Sequence, residues 1–326
     1  MTLENNSEFA NLCVFPPNKP MESIANFSTT PVVYDHLTFL DNNEAGEWIL
    51  GTSSVTGTFW EGTLMFFKDS EKLQKFQHSA HYIYATTSDG RFINDKTIAL
   101  AEDTGVLSIF NITEDKLVRD QHYRHSQRIS EIAPWKNSNK ILTCSGSVLS
   151  IWDINTSENN FQYSDYHLAP VNSVDVIQGN ENFFASASND RKAVVWDVRA
   201  EQPASVIYSN EFSSLKSIRW NQNDTNYLFV GSQAGDIYII DQREPKEFVC
   251  VHHCFDNNIH KISLSDSNKV AVCGDTNEII IADLEAASFQ NVKSNIEHQG
   301  YVRDLKWNKN SLYSCGHDKL VLIHNM

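Results

Sequence analysis

The sequence predicts an all-β fold, a closed ring of seven four-stranded blades forming a β-propeller. Three observations predict it. Apolar strands ending at positions 68, 111, 153, 197, 241, 283 and 325 recur at intervals of 42–44 residues, and a repeat of roughly 40–45 residues built from short strands is the period of a propeller blade. Within a unit, short alternating apolar segments are separated by polar turn residues, as strands of a blade would be. The chain of 326 residues, 41% hydrophobic and 11% aromatic, can bury a large core yet contains no run of 18 apolar residues, so no membrane span is expected.

The fourth unit, HLAPVNSVDVIQGNENFFASASNDRKAVVWDV, justifies the blade element by element. Val171–Val176 alternates as a first strand, Phe183–Ser188 as a second and Ala193–Val198 as a third. Asn189 and Asp190 stand at the turn between the last two, where short polar side chains satisfy local backbone donors. Two units end in Trp-Asp, at Trp152-Asp153 and Trp196-Asp197, the signature of WD-repeat propellers. In that repeat a histidine ahead of the first strand, a hydroxyl, a turn carboxylate and the tryptophan form a buried tetrad. His167, Ser188, Asp190 and Trp196 occupy those slots here, and His298 and His125 stand at the matching place in other units. Buried, satisfied polar groups of this kind hold a blade together rather than perform chemistry.

The seventh unit stops directly after its third strand. A strand from within residues 21–36 is expected to complete it and close the ring, since an open edge would invite pairing with another chain. Residues 1–20, with Pro16, Pro17 and Pro20, read as an extended arm and 21–326 as the propeller.

Composition narrows function. The formal charge is −15, from 41 acidic and 26 basic residues, and no Lys/Arg cluster offers the basic stripe that nucleic acid requires. Basic protein tails would be attracted instead. The N-terminus lacks a basic segment followed by an apolar run, so no secretory signal is expected. Six cysteines then read as reduced thiols of the cytosol or nucleus. No phosphate-cradling glycine loop or nucleophile elbow is present, and neither catalysis nor a cofactor is expected. Cys250-Val251-His252-His253-Cys254 places Cys250, His252 and Cys254 on one strand face, but lacks the second ligand pair of a zinc site and reads as an outer strand.

Two surface features remain. Trp196-Asp197-Val198-Arg199 fits a WDxR box, with Ile240-Asp241-Gln242-Arg243 as a degenerate copy one unit later. Successive boxes resemble those of WD-repeat substrate receptors of cullin-type ubiquitin ligases, in which Arg199 and Arg243 would meet the adaptor. The alternative is an ordinary blade-edge arginine. Trp60 is the second feature. The first unit already has Phe67 in the tryptophan slot, and the spacing puts Trp60 in a lengthened turn between strands Glu47–Ser53 and Thr63–Lys68. Gly57 and Gly62 then read as hinges of that turn, with the indole partly exposed and Phe59 beside it.

Here the sequence resembles the methylosome WD-repeat family. The likeness rests on LGTSSVTGTFWEGTLMFFKD in the first unit, PPNKPME in the arm, NDRKAVVWDVRAEQP from Asn189 to Pro203, and HQGYVRDLKW at 298–307. The resemblance implies a non-catalytic partner of the type II, symmetric-dimethylating protein arginine methyltransferase. It implies a hetero-octamer with four copies of each subunit, presenting Arg/Gly-rich substrates such as histone and Sm protein tails. It also implies that Trp60 enters a pocket on the N-terminal barrel domain of the enzyme, and a cytoplasmic location, with a nuclear pool left open.

Overall fold

The computed structural model describes residues 36–56, 59–136, 138–156, 158–200, 203–245, 247–285 and 287–325. The expected N-terminal arm, and the closing strand apart from His36, lie outside the described residues.

Seven antiparallel sheets follow one another along the chain. Blade one comprises β1 (His36–Asn42), β2 (Trp48–Thr56), β3 (Phe59–Phe67) and β4 (Ser79–Ile83), with a short helix α1 (Ser70–Gln74) between the last two. Blade two holds β5 (Thr87–Asn94), β6 (Thr97–Glu102), β7 (Val106–Thr113) and β8 (Lys116–Arg124). Blade three holds β9 (Ile129–Pro134), β10 (Lys140–Ser145), β11 (Val148–Asp153) and β12 (Glu158–Tyr163). Blade four runs through β13 (Val171–Val176), β14 (Phe183–Ser188), β15 (Lys192–Asp197) and β16 (Pro203–Ser209). Blade five runs through β17 (Leu215–Trp220), β18 (Tyr227–Ser232), β19 (Asp236–Asp241) and β20 (Cys250–His253). Blade six has β21 (Ile259–Leu264), β22 (Lys269–Gly274), β23 (Ile279–Glu285) and β24 (Ser288–Asn295). Blade seven has β25 (Val302–Asn308), β26 (Ser311–Gly316) and β27 (Val321–Asn325), three strands among the described residues. His36 opens the inner strand of blade one, so it takes no part in an outer strand of blade seven.

Most second and third strands are apolar runs buried on both faces, and the β-branched and aromatic residues of KAVVWD in β15 favour the strand. Apolar layers fill the spaces between neighbouring blades. Trp48, Leu50, Met65 and Phe67 of blade one pack with Tyr313 and Cys315 of blade seven, and that layer closes the ring.

The first strands line the central channel, and two features order them. Carboxylates on one inner strand accept backbone N–H groups of the next: Asp41 from Phe92 at 2.9 Å, Asp89 from Ile132 at 3.0 Å, Glu131 from Val174 at 3.0 Å and Asp175 from Trp220 at 2.7 Å. Asp304 returns the pattern from blade seven to Leu40 of blade one at 3.1 Å. Each of the seven inner strands also carries a register irregularity near its start. The residues displaced from the ladders are Thr38, Ser88, Ser130 and Asn172 in blades one to four. In blades five to seven they are Lys216, His260 and Arg303. Such a bulge re-aims a side chain that would otherwise alternate with its neighbours.

Candidate protein-interaction site

The β2–β3 hairpin departs from the regular blade. Both strands have nine residues, against six in β14 and β15. Its ladder continues through Ser54↔Glu61, Val55↔Trp60 and Thr56↔Phe59. Among the described residues, the inner strand β1 pairs as far as Ser53 and the outer strand β4 as far as Gly62. The tip of the hairpin therefore stands beyond the described part of both flanking strands. Trp60 lies in β3 and not in the turn that the spacing places it in. The reason is local: Val55, Thr56, Phe59 and Trp60 are strong strand formers, so the ladder extends where a turn was expected.

Among the described residues no strand pairs beside it on either side, and Trp60 is 56% exposed. A tryptophan carries about 150–250 Å² of side-chain surface, and exposing so much of it is unfavourable at roughly 25 cal/mol per Å². Gly62 does not act as a hinge. It sits inside the ladder between Ser53 and Ile83, and a Cβ there would lie 2.7 Å from the Thr52 carbonyl oxygen and 2.8 Å from that of Ala85. The glycine allows blade two to approach closely. Phe59 pairs with Thr56 across the ladder, and Gly57 lies outside the described residues. Beneath the tip, the Tyr82 hydroxyl donates to the buried Glu61 carboxylate at 2.8 Å. Burial, and then that hydrogen bond, push the Tyr82 pKa above its ordinary value.

The rim from which this hairpin rises is formed by second-to-third-strand turns and by blade-to-blade connections. It carries further exposed apolar side chains that the repeat spacing did not single out: Tyr84, Leu168, Phe212, Ile296 and Tyr301. They lie in irregular connections, where periodicity carries no signal.

The tetrad of blade four is built with one substitution. The Trp196 Nε1–H donates to Ser186 Oγ at 2.8 Å, and Ser186 Oγ lies 2.8 Å from His167 Nε2. His167 Nδ1 lies 2.8 Å from Asp190. A serine that accepts from the indole donates to Nε2, leaving the Nδ1–H for the carboxylate. Burial opposes ionisation of Asp190, but the His167 hydrogen bond holds its pKa below the usual value. The hydroxyl is thus Ser186, not Ser188. Trp196 pairs with Phe184, and Ser188 stands four residues along β14, about 13 Å at roughly 3.3 Å per residue. Its hydroxyl instead donates toward the carbonyls of Ala169 and Pro170, each at 3.0 Å.

Variants of this network recur. In blade seven, His298 joins Asp318 at 2.8 Å and Ser314 at 2.7 Å, and His324 Nε2 replaces the indole at 2.9 Å from Ser314. In blade three, His125 meets Thr143 at 3.3 Å and Trp152 donates to Thr143 at 3.1 Å. There the turn from Ser145 to Val148 is one residue shorter than that from Ser188 to Lys192, and the carboxylate position is lost. Burial pushes the His125 pKa down to about 4.

The two candidate adaptor arginines fold back on their own turns. Arg199 contacts Asp197 at 2.6 and 2.8 Å, and Arg243 contacts Asp241 at 2.5 and 2.9 Å. The Arg199 hydrogen bond pulls Asp197 down to about 2. Cys250 and His252 lie on the outer strand β20, and Cys250 and Cys254 pack against the Phe229–Ile280 core layer. Burial pushes the Cys254 thiol up to about 12. Among the described residues no group of three or more His, Cys, Asp or Glu side chains is gathered as a metal ion would need.

Residues 161–197 match the WD domain, G-beta repeat family, which are those of the outer strand of blade three and the tetrad-bearing part of blade four. Over 293 residues the chain is 21% identical to Methylosome protein WDR77 of Xenopus laevis, covering 86% of each protein. This is a WD-repeat propeller similar to the methylosome subunit. Shorter stretches match other proteins. It is 26% identical over 124 residues to the E3 ubiquitin-protein ligase COP1 of Arabidopsis thaliana, 38% of this chain and 18% of that one. It is 24% identical over 150 residues to Histone acetyltransferase type B subunit 2 of Candida albicans, 45% of this chain and 38% of that one. The chain thus spans most of the methylosome protein and only a minor part of the other two.

Proposed function

We propose that this WD-repeat propeller is a non-catalytic partner subunit of a symmetric-dimethylating protein arginine methyltransferase, joined to it through Trp60. The observation that carries this reading is the projecting β2–β3 hairpin with a half-exposed indole at its tip. A large aromatic held rigidly by a ladder loses little entropy on docking, and such side chains dominate interface energies. The likeness to the methylosome protein over 86% of both chains supports the choice of partner. In this reading four copies of each subunit form a cytoplasmic hetero-octamer. The charge of −15 steers basic histone and Sm protein tails toward the enzyme.

The test is co-purification of the chain with the methyltransferase from its native source. Trp60→Ala should leave the circular dichroism spectrum unchanged and weaken association by at least about thirtyfold, the lower end of the about 2–4 kcal/mol expected of a hot spot. Unchanged association would remove Trp60 from the interface.

A further inference from the structure

The inner-strand bulges carry a second site. All seven displaced side chains line one cavity of about 330 Å³ at the mouth of the central channel. The mouth opens on the same rim as the Trp60 hairpin, because the start of each inner strand pairs with the end of the second strand, as His36 does with Ser53. Every displaced side chain is a hydroxyl, an amide, an imidazole or a cation, and none is a carboxylate. Lys216, His260 and Arg303 follow one another around blades five to seven, and Arg128, just ahead of the inner strand of blade three, lines the same cavity.

The carboxylates below the mouth are already neutralised. Glu131 is paired with Arg219 and with Lys261, the latter at 2.5 Å, while Asp89 and Asp304 are paired with Arg91 at 2.9 and 3.2 Å. At the mouth itself Asp275 pairs with Arg303 at 2.8 Å. Lys216 hydrogen-bonds the neutral Asn189 side chain at 2.8 Å, and burial pushes its pKa below the ordinary value against the weaker pull of the Asp275 carboxylate. Among the described residues no carboxylate lies within ion-pair distance of Arg128 or Lys216. The Ser88 hydroxyl is buried in this wall without a hydrogen-bond partner, a costly arrangement that a bound acceptor would relieve.

We propose that the channel mouth binds a phosphate monoester carried on a peptide, with Arg128 and Lys216 supplying charge and Ser88 a hydrogen bond. Phosphate oxygens are strong acceptors that charged donors bind at roughly twice the strength of neutral pairs. The cavity is larger than one phosphate group, and Leu168, Phe212 and Ile296 stand exposed on the same rim to meet the flanking chain. In a protein of charge −15 this local reversal of sign makes the mouth selective for a concentrated negative charge.

The test is calorimetric titration of the full chain with a phosphoserine peptide, its unphosphorylated counterpart and inorganic phosphate. The phosphopeptide should saturate, the unphosphorylated peptide should not, and inorganic phosphate should compete. Arg128→Ala and Lys216→Met should each weaken phosphopeptide binding at least about tenfold, and Ser88→Ala by about two- to fivefold. Lys136→Ala, at an exposed position away from the mouth, should bind as the unaltered chain does. Arg128 is exposed, so its variant tests the site without endangering the fold. Equal binding of the two peptides, no saturation by any probe, or unaltered affinity in both cation variants would overturn the proposal. Saturation by inorganic phosphate alone would overturn its peptide-borne form.

Discussion

The backbone N–H of Leu40 donates to Asp304 at 3.1 Å, joining two inner strands separated by 264 positions in the sequence. The same carboxylate meets Arg91 of blade two at 3.2 Å, so one buried side chain ties blades seven, one and two. Asp304→Ala would leave the Leu40 donor unpaired and Arg91 with one carboxylate fewer. Removing one partner of a buried pair typically costs about 3–5 kcal/mol, and the melting temperature should fall by several degrees. A surface variant such as Lys136→Ala gives the reference, and an Asp304→Ala chain melting with it would refute the role.

Ser186 and Ser188 separate a network residue from a turn residue. Ser186→Ala strips the hydroxyl from both the Trp196 indole and the His167 imidazole, leaving two buried polar groups unsatisfied at about 1–3 kcal/mol each. Ser188→Ala removes contacts to backbone at the blade edge and should cost about 0.5–1.5 kcal/mol. Thermal melting should rank Ser186→Ala below Ser188→Ala, and the reverse order would count against the assignment.

Trp60 and Gly62, two positions apart on β3, should divide association from stability. Gly62→Ala drives a methyl against two backbone carbonyls, that of Thr52 in β2 and that of Ala85 in the connection to blade two. The cost is about 1–3 kcal/mol, read as a lowered melting temperature. Trp60→Ala removes an exposed side chain and should change stability by no more than about 0.5 kcal/mol. If both variants lowered the melting temperature alike, the indole would be a packing residue.

Acid should weaken the ring in a window set by its histidines. Burial lowers His81, His125 and His317 to about 4, whereas an unfolded histidine titrates near 6.5. Between those values the unfolded chain binds more protons, so stability rises with pH. From these groups it is fully present above about 6.5 and is lost as the pH falls toward 4. His125→Gln keeps a polar side chain near Thr143 but removes one titrating group. Its melting temperature should approach that of the unaltered chain as the pH drops from 7.5 to 4.5, and a constant gap would exclude the linkage.

Much of the architecture is legible along the chain because each blade repeats the same burial problem. Apolar strands at 42–44-residue spacing reveal seven units before any contact is known. Phe67 in the core slot of blade one, with no exposed surface, explains why a second aromatic nearby could be spared for the surface. The choice between Ser186 and Ser188 was not legible. Both serines face the same side of β14, two residues apart, and only the register against β15 decides which reaches the indole.

The sequence by itself determined the number of blades, the strands that fill them and the presence of an aromatic outside the core of blade one. Those properties follow from hydrophobic periodicity, which is local. The tertiary structure alone decided that Trp60 rides on a ladder extending past its neighbours, that Gly62 is a packing contact, and that seven bulged side chains meet around one channel. These depend on strand register and ring closure, which bring together residues such as Leu40 and Asp304 that share no pattern in the chain.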